Sequence, residues 1–245
     1  MTDRPIIFSA PMIRALLDGR KTMTRRILKL PKKTFSGGPI YERPDMGGWE
    51  PTTNGGGGTF MIIDGHRLPS PKTVGMWHKT TGVAFDAPYQ ADDRLWVREN
   101  FAHVPASAFR ASTGVHQTLD PTDSDMAAIY ASGWERSAPR WKPSIHMPRW
   151  ASRLTLIVTA VKVERLQSLS EADAQAEGIG KYASDGLWTW APPGMSSTGW
   201  HTARGAFDAL WTSIHGPDAW AANPWVAAIT FRVVKANIDA VGVGA

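Results

Sequence analysis

The sequence predicts an α+β protein: a small mixed β-barrel with flanking helices and long irregular insertions. Three observations predict it. The regular elements are few and short, running strand, helix, several strands, helix, helix, strand. Long Gly- and Pro-rich stretches separate them. The regular strand–helix alternation that marks a parallel α/β sheet is missing. At 245 residues and 26.8 kDa the chain can form one domain with insertions, expected at about 31–90, 102–140 and 180–202.

Taken in order, Pro5 to Phe8 reads as a short strand. PMIRALLDG behind it sets Met12 and Leu16 on one helical face, with Pro11 in the first turn and a stop at Asp18 or Gly19. Residues 22–30 alternate and lead into a strand. Residues 31–90 lack periodicity, apart from FMII and DGHRL, which suit a hairpin; the GGGG run at 55–58 has no following GK[ST] and reads as a flexible turn. RLWVRENF, residues 94–101, alternates Leu95 and Val97 against Trp96 and Arg98 and reads as one strand. From 102 to 140 only MAAIY has apolar pattern. RLTLIVTAVKV is the strongest strand, with Leu154, Leu156, Val158 and Ala160 on one face. SLSEADAQAEG then starts a helix capped by Ser170 and ended by Gly178. Residues 203–214 form a helix with Phe207, Leu210, Trp211 and Ile214 on one face, and PWVAAITFRVV is the last strand.

Composition narrows the function classes. A formal charge of +5 leans toward phosphate or nucleic-acid contact. With no cysteine, disulfides, thiolate metal sites and cysteine nucleophiles are excluded. The seven histidines form no HExxH motif or ligand-spaced pair, so no metal is expected. No apolar run reaches the ~18 residues of a membrane helix and the first residues do not read as a signal peptide, so a soluble cytoplasmic protein without membrane contact is expected. Twelve tryptophans against four tyrosines is a heavy indole load, most of it expected to fill core corners.

DGRKTMTRR, Asp18 to Arg26, concentrates basic residues directly behind the first helix. In a regular strand Lys21 and Thr24 would point to opposite faces. They meet only if the backbone bends at Lys21, and a bend is easiest just after a glycine-ended helix.

Gly19, Lys21 and Arg26 stand at the spacing of the G-x-K-x-x-E-x-R signature, and in this respect the chain resembles ASCH domains, relatives of the PUA fold. Thr24 replaces the usual Glu. That departure is similar to a group of small bacterial ASCH enzymes that hydrolyse N4-acetylcytidine, whose segment reads GRKT, an apolar residue, Thr, any residue, Arg. LSEADAQAEG matches their second segment through Leu169, Ser170 and Glu171, with Glu177 at the place of a catalytic Glu. The resemblance covers the first thirty or so residues, the strand at 94–101, residues 153–178 and the last strand. It leaves out the three insertions.

The resemblance implies Lys21, Thr24 and Glu177 as catalytic residues, Arg26 as a substrate contact, a modified cytidine nucleoside as substrate, and no cofactor. Hydrolysing the exocyclic amide needs a nucleophile, a base, charge for the oxyanion and a proton for the departing amine. Two divisions of labour are open. In one, Thr24 attacks, neutral Lys21 takes its proton and Glu177 positions the pair. In the other, Glu177 activates water, charged Lys21 stabilises the oxyanion and Thr24 orients substrate. The first requires burial of Lys21 to outweigh its pairing with Glu177.

Further substrate contacts are expected from Arg98 and Glu99, which otherwise pair with each other, and from His146 and Trp150 in the SIHMPRWASR loop, where Arg149 also stands. The Trp-bearing insertions would widen the pocket for larger acyl groups. Two alternatives belong to other classes: an RNA- or modified-base-binding module making RNA or DNA contact, and a metal-independent ribonuclease.

Overall fold

A computed structural model describes residues 2–109, 116–134, 139–184, 187–195 and 199–242; parts of the second and third insertions lie outside the described residues. The elements are β1 (Asp3–Ile7), α1 (Ala10–Leu17), β2 (Met23–Ile27), β3 (Trp49–Asn54), β4 (Phe60–Ile63), β5 (His66–Pro69), β6 (Thr73–His78), β7 (Ala84–Asp86), β8 (Arg94–Arg98), β9 (Phe101–Pro105), α2 (Ala106–Phe109), β10 (Gln117–Leu119), β11 (Met126–Tyr130), β12 (Thr155–Arg165), α3 (Glu171–Ala176), β13 (Gly180–Ser184), β14 (Leu187–Ala191), α4 (Ala203–His215) and β15 (Trp225–Val234).

The chain is mixed α+β, with most of its regular structure in strands. A five-stranded sheet, ordered β1-β8-β12-β15-β2, organises it. β1 runs parallel to β8 and every other neighbour pair is antiparallel. The apolar alternation read from the sequence faces inward here: Leu95, Leu156 and Ile229 from the sheet and Ile13 and Leu16 from α1 are fully buried in one core, which Ala174 of α3 and Phe207 of α4 complete. Burying each such large side chain contributes about 1.5–3 kcal/mol. Among the described residues no backbone pairing joins β1 to β2, so the sheet does not close by hydrogen bonding into a ring. A side chain spans the two edges instead: Arg26 on β2 donates from Nη2 to the Ile7 carbonyl on β1 at 2.8 Å.

Several elements depart from the sequence reading. Residues 94–101 are not one strand. β8 ends at Arg98, and β9 leaves to form a second sheet, ordered β10-β11-β9. The 31–90 insertion contains the expected β4–β5 hairpin, turned by Asp64 and Gly65 at positive φ, but also an unanticipated sheet, ordered β3-β6-β7. WEPTTN hides its strand because Pro51 and the polar residues break the apolar pattern; as an edge strand β3 tolerates a residue without a backbone donor. In β12 a register shift between Val158 and Ala160 resets the alternation, so Ala160 is exposed while Val163 is buried. Ile214, expected on the buried face of α4, is 63% exposed.

Ser170 caps α3 as its position suggests: its hydroxyl accepts from the Asp173 N–H at 3.1 Å. Ser170→Ala is expected to lower stability by about 1 kcal/mol, readable as a lower urea midpoint with an unchanged slope.

Candidate functional site

α1 ends in the turn that makes the site. Gly19 adopts φ +73, a left-handed conformation that a residue with a Cβ resists, and the N–H groups of both Arg20 and Lys21 then donate to the Ala15 carbonyl at 2.9 and 3.0 Å. The chain therefore bends before β2 begins at Met23. Lys21 forms an isolated antiparallel bridge with Glu177, and the Thr22 N–H donates to the Ala176 carbonyl at 2.8 Å. This bend removes the strand parity that would have kept Lys21 and Thr24 on opposite faces.

Glu177 terminates α3. Gly178 follows at φ +98, and a Cβ there would meet Ala15 Cβ at 3.3 Å and Lys21 Cβ at 3.4 Å. The backbone conformation therefore favours glycine, and the close approach of the two segments leaves a Cβ little room.

Lys21 is 1% exposed and reaches Glu177 twice. Its Nζ donates to Oε2 at 2.7 Å and to the backbone carbonyl at 2.8 Å, satisfying an oxygen left open at the helix end. Burial pushes the Lys21 amine below the ordinary lysine value; the Glu177 carboxylate opposes this, and the charges of Arg26 and Arg25 add to it. The fully buried side chain and two neighbouring guanidinium groups support that direction despite the short ion pair.

Arg25 was not among the residues the sequence singled out. Its side chain is fully buried. Nη2 bonds Glu164 Oε1 at 2.7 Å and Asp173 Oδ2 at 2.9 Å, and Nη1 donates to Glu177 Oε1 at 3.4 Å. Glu177 therefore lies between two cations, and Arg25 binds β2, β12 and α3 together.

A cavity of about 480 Å³ opens at this cluster, with Lys21, Thr24, Arg25, Arg26 and Glu177 on its polar side. Phe8, Met12, Phe207, Leu210 and Trp211 form an apolar side, and Pro193, Gly194 and Met195 bring in the third insertion. Thr24 is buried, and its hydroxyl makes no hydrogen bond to another described residue. The size lies within the range of pockets for small organic ligands.

The cavity brings together Lys21, Thr24, Glu177 and Arg26, and leaves out four other residues read from the sequence. Arg98 lies over the Trp96 ring and donates to the Ile145 carbonyl. Glu99 is buried and pairs with Arg153, at 2.8 and 3.0 Å, instead of with Arg98; burial raises its carboxyl against the influence of that partner. His146 is exposed in a short 3-10 turn. Trp150 packs edge-on to His103 at 5.7 Å, while Arg149 pairs with Asp3 and Asp239. None of the four lines the cavity.

α4 contributes what the sequence reading treated only as core. Its face carrying Phe207, Leu210 and Trp211 forms a cavity wall, and His215, one turn beyond Trp211, stacks on that indole at 4.3 Å between centroids. The i, i+4 placement of an aromatic and a histidine was the available signal.

Among the described residues no group of three or more His, Asp or Glu could hold a metal ion, and no helix is long and apolar enough to cross a membrane. No protein-family model, curated protein or solved structure matches the chain.

Proposed function

We propose that the protein is an amidohydrolase that cleaves the N4-acyl amide of acylated cytidines, releasing cytidine and a carboxylic acid, on a PUA-like scaffold of the ASCH type. One observation carries the reading: Lys21 and Glu177, 156 positions apart, hydrogen-bond inside a cavity that Thr24 also lines. That constellation supplies a nucleophile in Thr24 and a base in Lys21, and once protonated Lys21 supplies both charge beside the oxyanion and the proton for the departing amine.

Of the two divisions of labour, the first fits better. Burial lowers the Lys21 amine and so favours its neutral form, and Thr24 lines the same cavity as that amine. Neutral Lys21 takes the Thr24 proton as Oγ1 attacks the acyl carbon. The tetrahedral oxyanion collapses and the C–N bond breaks. Lys21 returns the proton to the departing N4 amine, leaving an acyl ester on Thr24. Water, deprotonated by Lys21, then hydrolyses that ester and regenerates the hydroxyl. Glu177 holds the amine in place through both of its hydrogen bonds, and Arg25 holds Glu177.

The test is cytidine release from N4-acylcytidines of graded acyl size. The apolar wall of Phe8, Met12 and Phe207 predicts turnover of the acetyl compound and of larger aliphatic acyl groups. Release from no member of the series would overturn the proposal.

A second reading rests on a different observation. A separate hollow of about 420 Å³ is lined by His103, Arg140, Trp141 and Lys142, cations beside an indole, a combination suited to stacking bases and holding phosphates. Steeply salt-dependent oligonucleotide binding without nucleoside turnover would select it.

A further inference from the structure

The charges around the main cavity do not balance at one residue. Lys21 is matched by Glu177, and Arg25 by Glu164, Asp173 and Glu177. Arg26 has no carboxylate within 4.0 Å among the described residues. Its guanidinium lies 5.1 Å over the Phe8 ring, Nη2 is occupied by the Ile7 carbonyl, and Nε is buried without any partner. Buried donors are normally satisfied, and here the Glu177 carboxylate and Tyr89 act on the partly buried guanidinium only from beyond contact distance, leaving room for an anion in direct contact.

His215 is the second cation-forming group on this wall. It is exposed at the last turn of α4, stacked on Trp211, whose indole N–H is also buried without an acceptor. Arg26 and His215 both line the cavity, and burial lowers the His215 imidazole, with the Arg26 charge lowering it further. An anion between them would neutralise Arg26 and favour protonation of His215.

We infer that Arg26 and His215 form an anion-binding subsite at the mouth of the cavity, so that the favoured substrate carries a negative group on its tail. This rests on the proposed N4-acyl substrate class for the identity of the body of the ligand. The negative group has two sources, a nucleotide phosphate or a carboxylate at the far end of the acyl chain. Both offer the oxygens that Arg26 lacks, and a charge-assisted contact to a guanidinium is the stronger kind of hydrogen bond.

Two experiments separate the outcomes. Calorimetric binding of cytidine and cytidine 5′-monophosphate to the wild-type protein needs no turnover. Rates of hydrolysis compare N4-acetylcytidine with its 5′-monophosphate, and N4-butyrylcytidine with N4-succinylcytidine. The charged member of at least one pair is expected to be favoured by roughly 10- to 100-fold, the span of one charge-assisted hydrogen bond. The preference should shrink in high salt and in Arg26→Gln. It should also shrink in His215→Gln, which sits on an exposed helix end and removes no hydrogen bond of the fold. Preference in the phosphate pair assigns the subsite to a nucleotide, and in the acyl pair to a dicarboxylic acyl group. Tighter nucleotide binding without any hydrolysis would uphold the subsite and overturn the proposed activity. Hydrolysis and binding indifferent to charge in every pair would overturn the subsite and leave the activity standing. A charge preference that survives both substitutions would overturn the assignment to Arg26 and His215.

Discussion

Replacing Lys21 with alanine is expected to reduce kcat/KM for N4-acetylcytidine by roughly 10²–10⁴-fold, the usual contribution of a positioned general base. The loss should fall on kcat, because the amine acts on the proton moved in the transition state and not on the resting substrate. The pH profile gives the sign of its role. Burial depresses the amine, so the neutral form populates below the ordinary lysine value of about 10.4. The rate should therefore rise with pH through that depressed pKa and level off above it. A rate that falls over the same range would show that charged Lys21 is needed, and would move the nucleophile from Thr24 to a water activated by Glu177. Thr24→Ser, which keeps a hydroxyl, should retain turnover that Thr24→Ala loses.

The second large effect is on stability. Arg25→Ala is expected to destabilise the protein by about 3–5 kcal/mol, the cost of leaving a buried ion cluster without one partner. Glu164 and Glu177 are both buried, at 5% and 3% exposure, and would lose the cation between them. Arg25→Lys should recover only part of the loss, since one ammonium cannot reproduce a fork that contacts three carboxylates. Urea unfolding of the wild-type protein and both variants measures this directly. Equal stability of all three would show that Glu164, Asp173 and Glu177 do not depend on Arg25.

These two residues show where the sequence was legible. Lys21 and Thr24 could be found because one motif fixes their spacing and Glu177 because a second motif places it, and the bend after which Lys21 and Thr24 line one cavity is signalled by Gly19. Arg25 sits between Thr24 and Arg26, on the opposite parity of β2, and its value comes from Glu164 and Asp173 on distant elements. Nothing in its neighbours announces those partners. The strands of the central sheet were readable because their alternation is strong, as at Leu154, Leu156 and Val158. The boundary after Arg98 was not, since Phe101 continues the apolar character into a different sheet. α4 was recognised as a helix, but an apolar face that lines a cavity has the same periodicity as one that fills a core. The wall formed by Phe207, Leu210 and Trp211 is therefore visible only in three dimensions.

The central claim is that Lys21 and Glu177 work as one catalytic unit. It is tested most directly by measuring kcat/KM on N4-acetylcytidine for Lys21→Ala, Glu177→Gln and the double variant. Residues that act as a unit are grossly non-additive, so the double variant should be no slower than the slower single one. Losses that multiply in the double variant would contradict the account, because each side chain would then be acting on the reaction independently.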